Sequence, residues 1–237
     1  MANWFITGCS AGLGRALARR ALQVGHSVAL TARDPRQVDD LVDFYPGRAI
    51  GLPLDVRDHD RAVKAIEEAS RVLGPIDVLV NNAGHGYRAA IEEGEIDPVR
   101  DLFETNFLGP IWLAKAVLPQ MRQRGSGTIV NVTSDAATEA YERWGAYGAS
   151  KAALEQLGRV WAAELAGTGV RVITVDPGEM DTRMHADAIP DANRAELADP
   201  ARVAAEIVAL LQTDPGPAPG ARVAIRSGPQ AAAAVSP

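Results

Sequence analysis

Short apolar runs alternate along the chain with longer stretches in which apolar residues return every third or fourth position. The runs WFIT (4–7), SVALT (27–31), AIGLPL (49–54), VLV (78–80), TIVNV (128–132), VRVITV (170–175) and ARVAI (221–225) predict strands. Between them, segments such as Leu154, Leu157, Trp161 and Leu165, spaced three, four and four, carry the helical period. Strands that are apolar throughout and separated by helices imply a parallel sheet covered on both faces. Right-handed crossovers then make the fold α/β and doubly wound, with about seven strands. Pro53 falls inside the third run, and a proline lacks the ladder donor, so this strand belongs at a sheet edge. That placement agrees with the order 3-2-1-4-5-6.

Length adds that residues 1–228 form one domain, since 237 residues suit a single large α/β unit. The polar segment at about 179–200, broken by Pro190 and Pro200, interrupts the alternation and is expected to be a substrate loop. Residues 229–237, with four consecutive alanines, have nothing to pack and are expected to be disordered. A formal charge of −6 gives no general attraction to nucleic acid or anionic membrane. The single Cys9 excludes an internal disulfide, and the four histidines show no ligand spacing, so no metal is expected. Without an apolar run of membrane-spanning length or a charged signal region, the expected setting is the cytoplasm.

Two stretches carry chemistry. The first strand runs into TGCSAGLG, where Gly8, Gly12 and Gly14 allow a tight turn and close backbone approach at a helix N-terminus. That arrangement suits a dinucleotide's pyrophosphate. In GAYGASKAAL, Tyr147 and Lys151 are four residues apart and share one helix face. Alone, the pair reads more readily as a buried aromatic beside a snorkelling lysine stem than as a phenol whose proton is under electrostatic control.

With NNAG (81–84), TNFLG around Asn106, VNVTS ending at Ser134, YGASK, and DPG (176–178) followed by Thr182, the chain resembles the short-chain dehydrogenase/reductase family over nearly its whole length. The resemblance implies a Rossmann-type fold and a tetrad of Asn106, Ser134, Tyr147 and Lys151. Tyr147 would be the general acid and base. Acting as a base near neutrality requires lowering a phenol of pKa about 10 by roughly three units, about 4 kcal/mol. An ammonium about 4–5 Å away supplies about 3–4 kcal/mol at an effective dielectric of 20. Lys151 would also bond the nicotinamide ribose, Ser134 would donate to the substrate oxygen, and Asn106 would hold a water leading from Lys151 to solvent. By themselves, Ser134 reads as a strand-end turn residue and Asn106 as a polar residue relaxing a helix near Pro110.

The cofactor residues implied are Gly8, Ser10, Gly12, Leu13, Gly14, Arg33, Asp55, Val56, Asn82, Ala83, Gly84, Tyr147, Lys151, Pro177, Gly178 and Thr182. Asp55 would contact the adenine, Asn81 and Gly84 would shape the adenosine wall, and Thr182 would meet the carboxamide. In LTARDP, Arg33 suits a 2′-phosphate, so NADP(H) is favoured, while Asp34 leaves NAD(H) possible. By position, His85, Tyr87, Asp135, Tyr141, Trp144, Met180, Met184 and His185 could line the substrate pocket. Asp135, Glu142, Glu179 and Asp181 would make its opening negative, or remain solvated loop carboxylates.

The expected function is metal-independent hydride transfer between NADP(H) and a small-molecule carbonyl or secondary alcohol. A nucleotide-binding regulatory protein of the same fold is the alternative, and sugar-nucleotide epimerisation shares the Tyr–Lys pair. Family members form homodimers or homotetramers through long helices, here about 97–124 and 148–166.

Overall fold

The computed structural model describes residues 1–225. The strands are β1 (Asn3–Ile6), β2 (Ser27–Ala32), β3 (Ala49–Pro53), β4 (Val78–Asn81), β5 (Gly127–Val132), β6 (Val170–Asp176) and β7 (Arg222–Ala224). They form one parallel sheet in the order β3-β2-β1-β4-β5-β6-β7. Each apolar run thus lies within one residue of a strand at either end, and Pro53 sits on the edge strand. The helices are α1 (Gly12–Gln23), α2 (Asp39–Phe44), α3 (His59–Leu73), α4 (Ile96–Phe103), α5 (Gly109–Arg124), α6 (Gly145–Glu164), α7 (Arg183–Ala188) and α8 (Pro200–Leu211).

Every residue of β2 is buried, the continuous burial that a sheet covered on both faces demands. One core packs Ile6, Leu30, Val130 and Ile173 against Leu17 of α1 and Ile207 of α8. The other packs Phe5, Leu79, Ile129 and Val172 against Ile66 of α3 and Val117 of α5. Alternation along each strand divides its side chains between these two layers.

Three details position the site. The long helix expected over 97–124 is not uniform: a π-helical turn, Glu104–Leu108, joins α4 to α5 and carries Asn106. Pro110 has no N–H to offer the carbonyl of Asn106 four residues back, which gives the departure from α geometry a local cause. The expected helix 148–166 spans Gly145–Glu164, so Tyr147 lies in its first turn. The segment 179–200 folds on itself: Met180 bridges Ala198, Asp181 pairs with Arg194 at 2.7 Å, and α7 lies between. The expected tail, 229–237, lies outside the described residues. Among those described, no helix is long and apolar enough to cross a membrane.

Candidate active site

The C-terminal ends of β1, β4, β5 and β6 open into one cavity of about 650 Å³. All sixteen residues expected to hold a cofactor line it, as do Ser134, Tyr147 and Lys151. Such convergence at the carboxyl ends of strands is where open α/β sheets place ligands.

At its floor, Gly8 and Gly12 have φ of +72° and +56°, values that only glycine adopts without strain. A Cβ on Gly14 would lie 2.2 Å from the Gly8 carbonyl oxygen and 2.4 Å from Asn82 Nδ2, so α1 can start here only with glycine. Ala11 provides no side-chain cap to α1, and the first turn holds no acidic residue. The helix therefore presents unpaired backbone donors and the positive end of its dipole to the cavity, which fits a diphosphate. The opposite wall is tied to β1: Thr7 Oγ1 accepts from Asn82 N and Ala83 N at 2.9 and 2.8 Å, and Asn82 Nδ2 donates to Thr7 O at 2.8 Å.

At one end of the cavity, Asp34 does not face inward. Its carboxylate accepts from Arg36 Nε and Nη2, both at 2.9 Å, and from the Arg36 amide at 3.1 Å. Arg33, exposed on the cavity wall, has no ion-pair partner within 4.0 Å among the described residues. Asp55 is held by Arg57 at 2.7 Å, which keeps its carboxyl below the usual carboxylate range, and Arg57 also reaches Asp101 at 3.2 Å.

At the other end, α6 brings Tyr147 and Lys151 together. Lys151 is only 5% exposed; its Nζ donates to Val132 O at 2.9 Å and lies 5.8 Å from the centre of the Tyr147 ring. Burial lowers the ammonium from 10.5 to about 8. Burial likewise raises the Tyr147 phenol, a hydrogen bond with Ser134 opposes it, and the charges of Asp135 and Asp176 add to the rise. The protein's own groups thus hold the phenol above its ordinary value, against the expectation that Lys151 would bring it down. Desolvation acts on both groups and favours the neutral form of each. Trp144 packs on the phenol edge-on, with ring centres 5.3 Å apart.

Asn106 does not line the cavity. It is 1% exposed, and its side chain clamps the wall: Oδ1 accepts from His85 N at 3.1 Å, and Nδ2 donates to His85 O and Ser150 Oγ at 3.0 and 3.1 Å. Ser150 Oγ in turn donates to Tyr147 O at 2.7 Å. Gly84 allows this closeness, because a Cβ there would lie 3.0 Å from Asn106 Oδ1. Ser134 Oγ donates to Asp135 Oδ1 at 2.9 Å, and Tyr141 donates to Asp135 Oδ2 at 2.7 Å. The same carboxylate raises Tyr141 to about 12.

Seven of the eight substrate-side residues line the cavity; Tyr87 does not, and its hydroxyl accepts from Glu95 N at 2.8 Å. Asn81 also falls away from the cavity, buried at 3% and donating to Asn131. The negative opening is weaker than the sequence suggests. Asp181 and Glu142 do not line it, Asp135 is engaged three times over by Ser134, Ala136 and Tyr141, and Glu179 stands 3.7 Å from His185. Among the described residues, no three His, Cys, Asp or Glu side chains converge as a metal would require.

A glycine turn at an uncapped helix N-terminus and a half-buried tyrosine beside a buried lysine line one cavity, an arrangement that fits a dinucleotide-dependent redox site. The model of the short chain dehydrogenase family matches residues 3–193. The oxidoreductase BOA17 of Botryotinia fuckeliana is 38% identical over 180 residues, covering 76% of this chain and 66% of that protein. The NADP-dependent 3-hydroxy acid dehydrogenase YdfG of Escherichia coli is 34% identical over 179 residues, 73% of this chain and 70% of its own. A short-chain dehydrogenase from Streptomyces avermitilis superposes with a TM-score of 0.85 at 38% identity, covering 94% of this chain and 87% of that one. The chain belongs to the short-chain dehydrogenase family of NAD(P)-dependent oxidoreductases.

Proposed function

We propose that this protein transfers a hydride between NADP(H) and a small carbonyl or secondary alcohol, needing no metal, with Tyr147 as proton donor and acceptor. The observation that carries the reading is the opening of Tyr147, Lys151 and Ser134 into the same cavity as the uncapped start of α1. Bound NADP(H) would supply or take up the hydride. The α1 N-terminus, with Ser10, Gly12 and Leu13, would hold its diphosphate; Asp55, Val56 and Asn82–Gly84 its adenosine; Tyr147 and Lys151 a ribose; Pro177, Gly178 and Thr182 its nicotinamide end. Arg33 would take the 2′-phosphate, a role supported by its position on the wall while Arg36 occupies Asp34. The NADP dependence named for YdfG agrees with this choice.

In reduction, the raised phenol stays protonated at neutral pH and gives its proton to the oxygen that becomes the alcohol. Ser134 turns its hydroxyl from Asp135 to that oxygen. In oxidation, Tyr147 must accept the proton, and the ammonium of Lys151, 5.8 Å from the ring centre, favours the phenolate. Asn106 keeps the Gly84–His85 wall and the start of α6 in register through His85 and Ser150. Helices α5 and α6 are the faces we assign to a homodimer or homotetramer, to be read by light scattering.

Tyr147→Phe tests the mechanism. Cofactor titrated by nicotinamide fluorescence should bind within about threefold of the parent, while turnover of ketones falls by about a hundredfold or more. Persistent turnover would remove Tyr147 from the chemistry.

A further inference from the structure

Behind the site lies an ion-paired group that the chemistry above leaves unused. Arg222, the first residue of β7, donates from Nε to Glu155 Oε1 at 2.9 Å and from Nη2 to Asp176 Oδ2 at 2.8 Å. The same Nη2 approaches the Ser134 carbonyl oxygen at 3.4 Å. Both carboxylates are buried, with side chains 4% and 9% exposed for Glu155 and Asp176. Each also holds the backbone or side chain of a site segment. Glu155 Oε1 accepts from Thr133 Oγ1 at 2.9 Å, next to Ser134. Asp176 Oδ1 accepts from Gly178 N at 3.0 Å and so closes the turn that presents Pro177 and Gly178 to the cavity.

One guanidinium therefore ties the end of β5, the end of β6 and the middle of α6 to the edge strand. The residues it joins come from chain positions 46, 67 and 88 apart, so no local structure could keep them together. Buried ion pairs return little net stability against a well-packed apolar replacement, because desolvating the charges offsets their attraction. The geometry points instead to specificity of position. We propose that Arg222 is a positioning residue that fixes the Ser134 segment against the Pro177–Gly178 loop and offsets the charge of Asp176 behind the Tyr147 phenol.

The second half of this role rests on the reading of Tyr147 as the acid and base. The groups whose charge or hydrogen bonding acts on the phenol are Lys151 on its own helix, Ser134 and Asp135 after β5, and Asp176 at the end of β6, with Trp144 packed against the ring. Of these, Asp135 and Asp176 oppose the phenolate electrostatically. Only Asp176 is held by Arg222. Removing the arginine strengthens the opposition; removing the carboxylate's charge relieves it.

The test titrates Tyr147 directly, by the ultraviolet absorbance of its phenolate with Tyr147→Phe as the blank, alongside the pH profile of kcat for alcohol oxidation. Arg222→Met should raise the Tyr147 midpoint by about half a pH unit or more, and Asp176→Asn, which keeps an acceptor for Gly178 N, should lower it by a similar amount. Arg222→Lys keeps the charge but not the fork, so it should leave the midpoint near the parent value while raising KM for the cofactor. Loss of rigidity alone would move the two opposite variants in the same direction. Shifts of the same sign, or no shift in either, overturn the proposal. If Arg222→Met does not fold, Asp176→Asn decides alone, and an unchanged midpoint there overturns it. Phenolate midpoints that move as expected while the kcat profile stays fixed would leave the positioning intact and refute Tyr147 as the base.

Discussion

Replacing Lys151 by methionine should make the protein more stable and nearly inactive. Burial lowers the ammonium from 10.5 to about 8. At about 1.4 kcal/mol per unit, keeping Lys151 charged in the fold carries a penalty of about 3 kcal/mol at neutral pH. Below the folded value both states bind the proton and the penalty is complete. Between the two values the unfolded chain binds more protons, so stability rises with pH, and above the unfolded value the penalty is gone. Methionine removes the charge but also the bond from Nζ to Val132 O, and the unpaired carbonyl costs about 1 kcal/mol. The net gain is about 2 kcal/mol near pH 7, a rise in Tm of about 4–8 °C for a chain of this length. Near pH 10 the remaining penalty, about 0.8 kcal/mol, no longer exceeds the lost hydrogen bond, and the advantage vanishes. Thermal unfolding of parent and variant at both pH values reads the difference, and turnover is measured in parallel. A variant less stable than the parent at neutral pH, or a difference that ignores pH, refutes the reasoning.

Arg33→Ala should raise KM for NADPH by about ten- to seventyfold, as loss of an exposed charge-assisted contact worth about 1.5–2.5 kcal/mol requires, with little effect on NADH. Equal losses would contradict the phosphate assignment. Asp34→Ala should change the preference between the two cofactors by less than about threefold, since Arg36 rather than the cavity occupies its carboxylate; a selective loss of NADH would show that Asp34 holds a ribose. Gly14→Ala places a methyl 2.2 Å from the Gly8 carbonyl oxygen. It should lower stability by about 1–3 kcal/mol in denaturant melts and weaken cofactor binding, the usual range for overpacking.

Much of this was legible in the sequence because the informative signals are local. Apolar runs become strands within a residue at each end, since a strand buried on both faces has no polar alternation to blur it. The wall around Gly8, Gly12 and Gly14 follows from spacing: the first two have backbone angles that favour glycine, and the third is excluded from bearing a side chain by Gly8 and Asn82. Contacts across the fold were not legible. Nothing near Asn106 announces Ser150, and nothing near Ser134 announces Arg222, which lies 88 positions away. Arg57 is different: two residues after Asp55, it could have been read as the partner that keeps that carboxylate ionised. In the sequence Asp135 is a candidate for charge at the opening, but its adjacency to Ser134 makes it the acceptor of that hydroxyl.

These longer contacts add to what the four-residue spacing of tyrosine and lysine contributes to the proposed proton chemistry. Burial raises the phenol and lowers the ammonium, so it moves both toward their neutral forms. The ammonium, 5.8 Å from the ring centre, favours the phenolate and works against that burial. Asp135 and Asp176 oppose it, and each is held by a residue outside the tetrad: Tyr141 bonds the first, Arg222 the second. On the proposed mechanism the Tyr–Lys pair would set the kind of chemistry, burial would raise the phenol most, and the partners of two neighbouring carboxylates would adjust the pH at which it can serve. Chains with the same pair but different residues at positions 135, 141 and 222 should then differ in the pH dependence of oxidation, because the field around the phenol differs while the phenol does not.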